Sequence, residues 1–154
     1  MRQSLVAVVL LTVASAVNAA DPFVGTYRLN VAQSKSSDAQ PLPLAATLTI
    51  SEDGDNLALA ISLQSGNGST LEKTSMPKGG GLLRRVDGGD PRYDTVTVTR
   101  PTPTTIDFVR MKDGKEGVRS RYTLGADGRV LTHTLKGTDP QGQQVDRVMV
   151  LERQ

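Results

Sequence analysis

The sequence predicts an all-β domain: a single antiparallel up-and-down barrel of about 8 to 10 strands following a cleaved leader. Three observations lead there. From Phe23 onward apolar side chains recur every second residue, the period of a strand with one wet and one dry face. Turn-forming residues punctuate these runs at the short, regular spacing of a meander. After the leader, no window carries a convincing helical period.

The elements follow in chain order. Met1 to Ser4 is a short basic start, and Leu5 to Val17 is an apolar run broken by Thr12 and Ser15. It falls short of the ~20 residues a spanning helix needs, so no transmembrane anchor is expected. Val17-Asn18-Ala19 places small or modest side chains where a signal peptidase cuts. Residues 1–19 therefore read as a signal peptide and 20–154 as the mature domain, periplasmic or secreted.

Ser34 to Leu44, polar and then proline-broken, reads as a loop or one short helical turn. Ala46, Leu48 and Ile50 then share one strand face, and Leu57, Leu59, Ile61 and Leu63 another. Val96 and Val98 alternate with threonines. Val118, Ser120, Tyr122 and Leu124 oppose Arg119, Arg121 and Thr123, and Leu131, His133 and Leu135 oppose Val130, Thr132 and Thr134. Between the runs, Asp53-Gly54, Asn67-Gly68, Asp113-Gly114 and Asp127-Gly128 supply residues that tolerate positive φ in tight hairpins. Met76 to Gly81 and Asp87 to Pro91 read as polar, glycine-rich connectors, where binding residues often concentrate.

Composition narrows the function. The chain has no cysteine, so its stability rests on strand pairing and packing, and thiolate metal sites and cysteine nucleophiles are excluded. With 18 basic and 16 acidic side chains, losing Arg2 with the leader leaves a nearly neutral domain and no electrostatic case for nucleic acid. Two Phe, three Tyr and no Trp make a broad sugar- or base-stacking platform a poor expectation.

Gly25-Thr26-Tyr27-Arg28-Leu29-Asn30, followed by Ser34-Lys35-Ser36, resembles the start of a family of uncharacterised exported bacterial lipocalin-like proteins, small β-barrels. Leu135 to Gln143, with the closing Val150 to Gln154, is similar to that family's last hairpin, so the resemblance spans nearly the whole mature chain. The family brings no activity to transfer. The wider lipocalin-like class implies a barrel with a ligand cavity, closed at one end by a first-strand Gly-x-Trp beneath a basic side chain from the last strand. Here Tyr27 stands in the Trp position after Gly25, with Arg153 as the partner, which makes Gly25, Tyr27 and Arg153 a structural plug.

The remaining candidates are few. His133 is the only histidine and shares a face with Leu131 and Leu135, so it points into a core or a cavity. The partners needed for a triad or a zinc site are scattered, and neither a catalytic residue nor a metal site nor a cofactor is expected. Asp53/Asp55 and Asp87/Asp90 lack the ligand spacing of a calcium loop. Arg110, Arg119 and Arg121 fall on neighbouring strands. If Arg119 and Arg121 line a cavity, the site prefers an anion; if they face solvent, they pair with Glu116 and Asp107. The leading expectation is a binding protein for a small apolar or amphipathic molecule held among Phe108, Tyr122 and His133. The alternative is a solidly packed barrel that meets an envelope protein through its loops.

Overall fold

The computed structural model describes residues 19–84 and 92–154, with side chains of 82–84 left aside. The predicted leader through residue 18 and the connector Asp87 to Pro91 lie outside the described residues.

Among the described residues eleven strands form one sheet: β1 (Gly25–Leu29), β2 (Lys35–Ser36), β3 (Ala45–Asp53), β4 (Asn56–Ser65), β5 (Gly68–Pro77), β6 (Gly81–Arg84), β7 (Thr95–Thr102), β8 (Thr105–Lys112), β9 (Lys115–Leu124), β10 (Val130–Thr138) and β11 (Gln144–Arg153). Every ladder is antiparallel. Neighbours in space run β5-β4-β3-β1-β11-β10-β9-β8-β7-β6, so the last strand returns to the first and the meander curls on itself. Among the described residues no ladder joins β5 to β6, which leaves one seam in the wall.

The predicted runs and turns lie where the alternation put them. Alternation marked β3, β4, β7, β9 and β10, and the other strands fall between the turns; among these, β1 and β2 are short for an identifiable reason. β1 and β2 lie on the same side of β11, pairing with its residues Leu151 to Arg153 and Arg147 to Val148 respectively. The break between them is a 3-10 turn, Val31–Gln33, capped by the Asn30 side chain. Ser34 bridges the interruption by accepting from the Val150 amide at 2.9 Å. Met76, expected in a connector, is instead the buried end of β5, and only the tight turn after Pro77 separates β5 from β6.

The register stacks inward side chains in layers. Leu124, Leu131 and Leu151 pair across β9, β10 and β11 near one end. The next layer is Tyr122, His133 and Met149, and the one after it Ser120, Leu135 and Arg147. Below the first layer Phe23 and Tyr27, both fully buried, fill the end of the barrel with Leu48, Leu57 and Leu131. One end is thus packed solid, and the other is not.

Candidate functional site

Above the packed end the inward side chains stop meeting, and a cavity of about 630 Å³ opens toward solvent. Strands from both sides of the barrel line it: Leu59 and Ile61 on β4, Phe108 and Arg110 on β8, Tyr122 on β9 and His133 on β10. The volume lies in the range of small-molecule sites. The exposed lining is mainly apolar, with polar side chains of both charges set into it, Glu72 and Asp94 as well as Arg110 and Arg147.

Phe108, Tyr122 and His133 come together in its wall. The Tyr122 and His133 rings stack at 4.1 Å between centroids with 17° between planes. Phe108 meets Tyr122 edge-on at 5.5 Å and 82°. The stack follows from register: His133 pairs directly with Tyr122 across β10 and β9, so their rings stand side by side on one face. All three residues are buried, His133 at 5% exposure, and among the described residues neither imidazole nitrogen has a hydrogen-bond partner. Burial, helped by the Arg110 charge, pushes the imidazole pKa down to about 3, so the ring is neutral at ordinary pH. Burial drives the Tyr122 hydroxyl the other way, up to about 12. With no carboxylate on either nitrogen, the pairing that would activate His133 as a base is not assembled. Among the described residues there is no cluster of three metal-binding side chains.

Arg110 parts company with the other two arginines. Arg119 and Arg121 point to solvent and pair with Glu116 and Asp107, the Arg121 Nε–Asp107 Oδ1 distance being 2.6 Å. Arg110 stands on the inward face of β8, in step with Ile106 and Phe108, and donates from Nη1 to Ser120 Oγ at 3.0 Å. No carboxylate among the described residues pairs with it. The signal was present in the sequence, because Ile106, Phe108 and Arg110 continue one alternation. Grouping the arginines by charge concealed it. The ladder slips between Val109 and Met111, where β9 holds an extra residue against β8.

The rim is pinned by a different arginine. The segment between β2 and β3 lines the cavity with Pro41, Leu42 and Leu44. Its anchor is Asp38, whose side chain is 1% exposed and takes Arg147 in a two-pronged pair at 2.7 and 3.0 Å. Asp38 also accepts from the Gln40 and Asp146 amides. The Arg147 hydrogen bonds hold the carboxyl far below the usual carboxylate range. Arg147 also lines the cavity, but its charge is answered.

At the packed end, Arg153 lies over Tyr27 with its guanidinium carbon 5.0 Å from the ring centre. It donates to the Tyr27 hydroxyl at 2.6 Å and to the Val24 and Pro22 carbonyls at 2.9 and 2.7 Å. The Tyr27 hydroxyl in turn donates to the Phe23 carbonyl at 2.9 Å. Gly25 lies directly under the guanidinium, where an added Cβ would sit 3.2 Å from Arg153 Nη1. A second arginine, Arg100, grips Asp21 and lies 5.5 Å from the Phe23 ring centre. Sequence reading did not find Arg100. It is turned toward Asp21 where β7 bulges against β8 between Thr99 and Thr102.

No protein-family model matches the chain, and no curated protein matches it in sequence. Solved structures do match in fold. Zebrafish ileal bile acid-binding protein complexed with cholic acid superposes with a TM-score of 0.52 at 11% identity, over 86% of this chain and 99% of that one. As-p18, an extracellular fatty acid binding protein, gives a TM-score of 0.50 at 12% identity, over 88% and 98%. At these identities the likeness is one of fold: an antiparallel, lipocalin-like β-barrel.

Proposed function

We propose that this barrel is an exported binding protein for a small amphipathic molecule whose apolar body fills the cavity and whose acidic group meets Arg110. The observation that carries the reading is a single one: a mainly apolar cavity of about 630 Å³ with an inward arginine that no described carboxylate neutralises. A guanidinium in such surroundings favours an anion that brings its own hydrogen-bond acceptors. The fold neighbours are named as bile acid and fatty acid binding proteins, which fits this assignment. Export rests on the leader-like residues 1–19, and the extracellular neighbour is consistent with it. In this reading Gly25, Tyr27 and Arg153 close the opposite end and do not touch ligand.

The solidly packed barrel meeting an envelope protein is the weaker alternative, because the open half of this barrel is not filled by side chains. The deciding experiment is titration calorimetry with hexadecanoate and hexadecanol, alongside native mass spectrometry of gently purified protein. The acid should bind at least about tenfold more tightly than the alcohol, the range for hydrogen bonds to a charged group, and Arg110→Gln should erase that preference. An apo mass together with no binding of either probe overturns the reading.

A further inference from the structure

We propose that His133 is a specificity-determining residue that selects, among amphipathic acids, those carrying a hydroxyl several bonds from the acid group. The inference rests on the ligand-binding reading above and narrows its substrate class.

His133 is a wall of the cavity, is 5% exposed, and among the described residues has no partner on Nδ1 or Nε2. A neutral imidazole offers one N–H donor and one bare acceptor nitrogen. Buried polar atoms are nearly always hydrogen-bonded, and no described protein group answers these two. A saturated hydrocarbon chain lying over the ring would leave both without a partner. A hydroxyl can both donate and accept, so it satisfies the ring in either tautomer.

The ring is also held in place. Tyr122 stacks against it at 4.1 Å, and Phe108 braces Tyr122 from the edge. Its orientation is therefore set by the protein, which is the condition for a polar group to discriminate and not merely adapt. A site built to hydrogen-bond a substrate hydroxyl rejects the analogue lacking it far more strongly than an apolar pocket rejects an added one.

Position supplies the spacing. Arg110 is tied to Ser120, which pairs with Leu135, one inward layer above the Tyr122–His133 pair. Two residues along a strand are roughly 7 Å, so the acid and the hydroxyl should be separated by about that distance. The acid sits nearer the mouth and the hydroxyl deeper, toward the packed end.

The test exploits the single histidine, which gives one imidazole spin system in ¹⁵N-labelled protein. The full mature chain is titrated with hexadecanoate and with hexadecanoates hydroxylated at carbon 3, 6 or 9. We expect at least one hydroxy acid to bind about five- to tenfold more tightly than hexadecanoate and to shift the imidazole ¹⁵N resonances, which hexadecanoate leaves in place. His133→Phe should bring the hydroxy acids level with hexadecanoate, so that their affinity ratio falls to about one whatever the change in absolute affinity. Should His133→Phe fail to fold, the wild-type affinities and ¹⁵N shifts decide alone. Equal affinities for all the acids with an unmoved imidazole overturn the proposal and leave acid binding standing. Failure of every acid to bind overturns both the proposal and the reading it rests on.

Discussion

Arg153 and Tyr27, 126 residues apart in the chain, are locked together at the packed end of the barrel: the guanidinium lies over the ring and donates to its hydroxyl at 2.6 Å. The pairing follows from closure of the meander, since Tyr27 and Arg153 are register partners across β1 and β11. Tyr27 is fully buried, and its hydroxyl also donates to the Phe23 carbonyl. Tyr27→Ala should therefore cost about 3–5 kcal/mol, as other aromatic truncations in cores do. Tyr27→Phe, which keeps the ring, should cost about 1–2 kcal/mol for two lost hydrogen bonds. Urea unfolding of the two variants checks both values, and an unchanged midpoint in Tyr27→Ala would remove the plug.

Gly25 tests the same device from below. Its ideal Cβ would meet the guanidinium at 3.2–3.3 Å, and the arginine is tied by bonds to Val24, Pro22 and Tyr27 that resist yielding. Gly25→Ala should destabilise by about 1–3 kcal/mol through overpacking. In an Arg153→Ala background most of that penalty should vanish, because the atoms it collides with are gone. A double-mutant cycle by thermal melting reads the coupling directly. Additive effects would show that the strain lies in the Gly25 backbone and not in the guanidinium contact.

What sequence made legible was the period-2 alternation of β3, β4, β7, β9 and β10, with their inward faces and the turns between the strands. Leu48 and Ile50, Tyr122 and Leu124, and Leu131 and His133 are buried as the alternation requires. The plug residues were expected together only from the family resemblance, and pairing of the first strand with the last is what makes Tyr27 and Arg153 neighbours. Three things were not legible. β2 and β6 are too short, at two and four residues, to show a period. Arg110 was hidden by its charge: alternation placed it beside Phe108, and only an unfilled interior permits that. Arg100–Asp21 depends on a bulge that shifts the register of β7, and alternation carries no signal for a bulge.

His133 should make the protein acid-sensitive in a defined window. The unfolded chain takes up a proton there below about pH 6.5, whereas the folded ring refuses it until about 3. Between those values the unfolded state binds more protons, so stability is full above pH 6.5 and falls as the pH drops. By pH 5 the loss attributable to this residue is about 2 kcal/mol. His133→Phe removes the group, and the gap between variant and wild-type stability should widen in the variant's favour from pH 7 to pH 5. A constant gap across that range would mean that the imidazole titrates normally in the folded protein.

Asp38 reports on the rim at lower pH. Its carboxylate takes five hydrogen bonds, from Ser36, the Gln40 and Asp146 amides and two Arg147 nitrogens, while the side chain is 1% exposed. Asp38→Asn keeps the shape but loses the charge-assisted pair, and should cost about 2 kcal/mol at pH 7. Because the folded pKa is depressed, that advantage is complete above the unfolded value of about 4 and is lost as the pH falls below it. Wild type and variant should thus differ by a fixed amount from pH 7 to about 4 and converge below. The segment that Asp38 anchors supplies Pro41 and Leu42 to the cavity wall, so the variant should also release a bound acid faster, with little change in its Arg110 contact. Stopped-flow displacement of a fluorescent fatty acid measures that rate. A faster off-rate without loss of the acid-over-alcohol preference would separate the strap's role from that of Arg110, and an unchanged off-rate would show that ligand leaves by another route, such as the seam between β5 and β6.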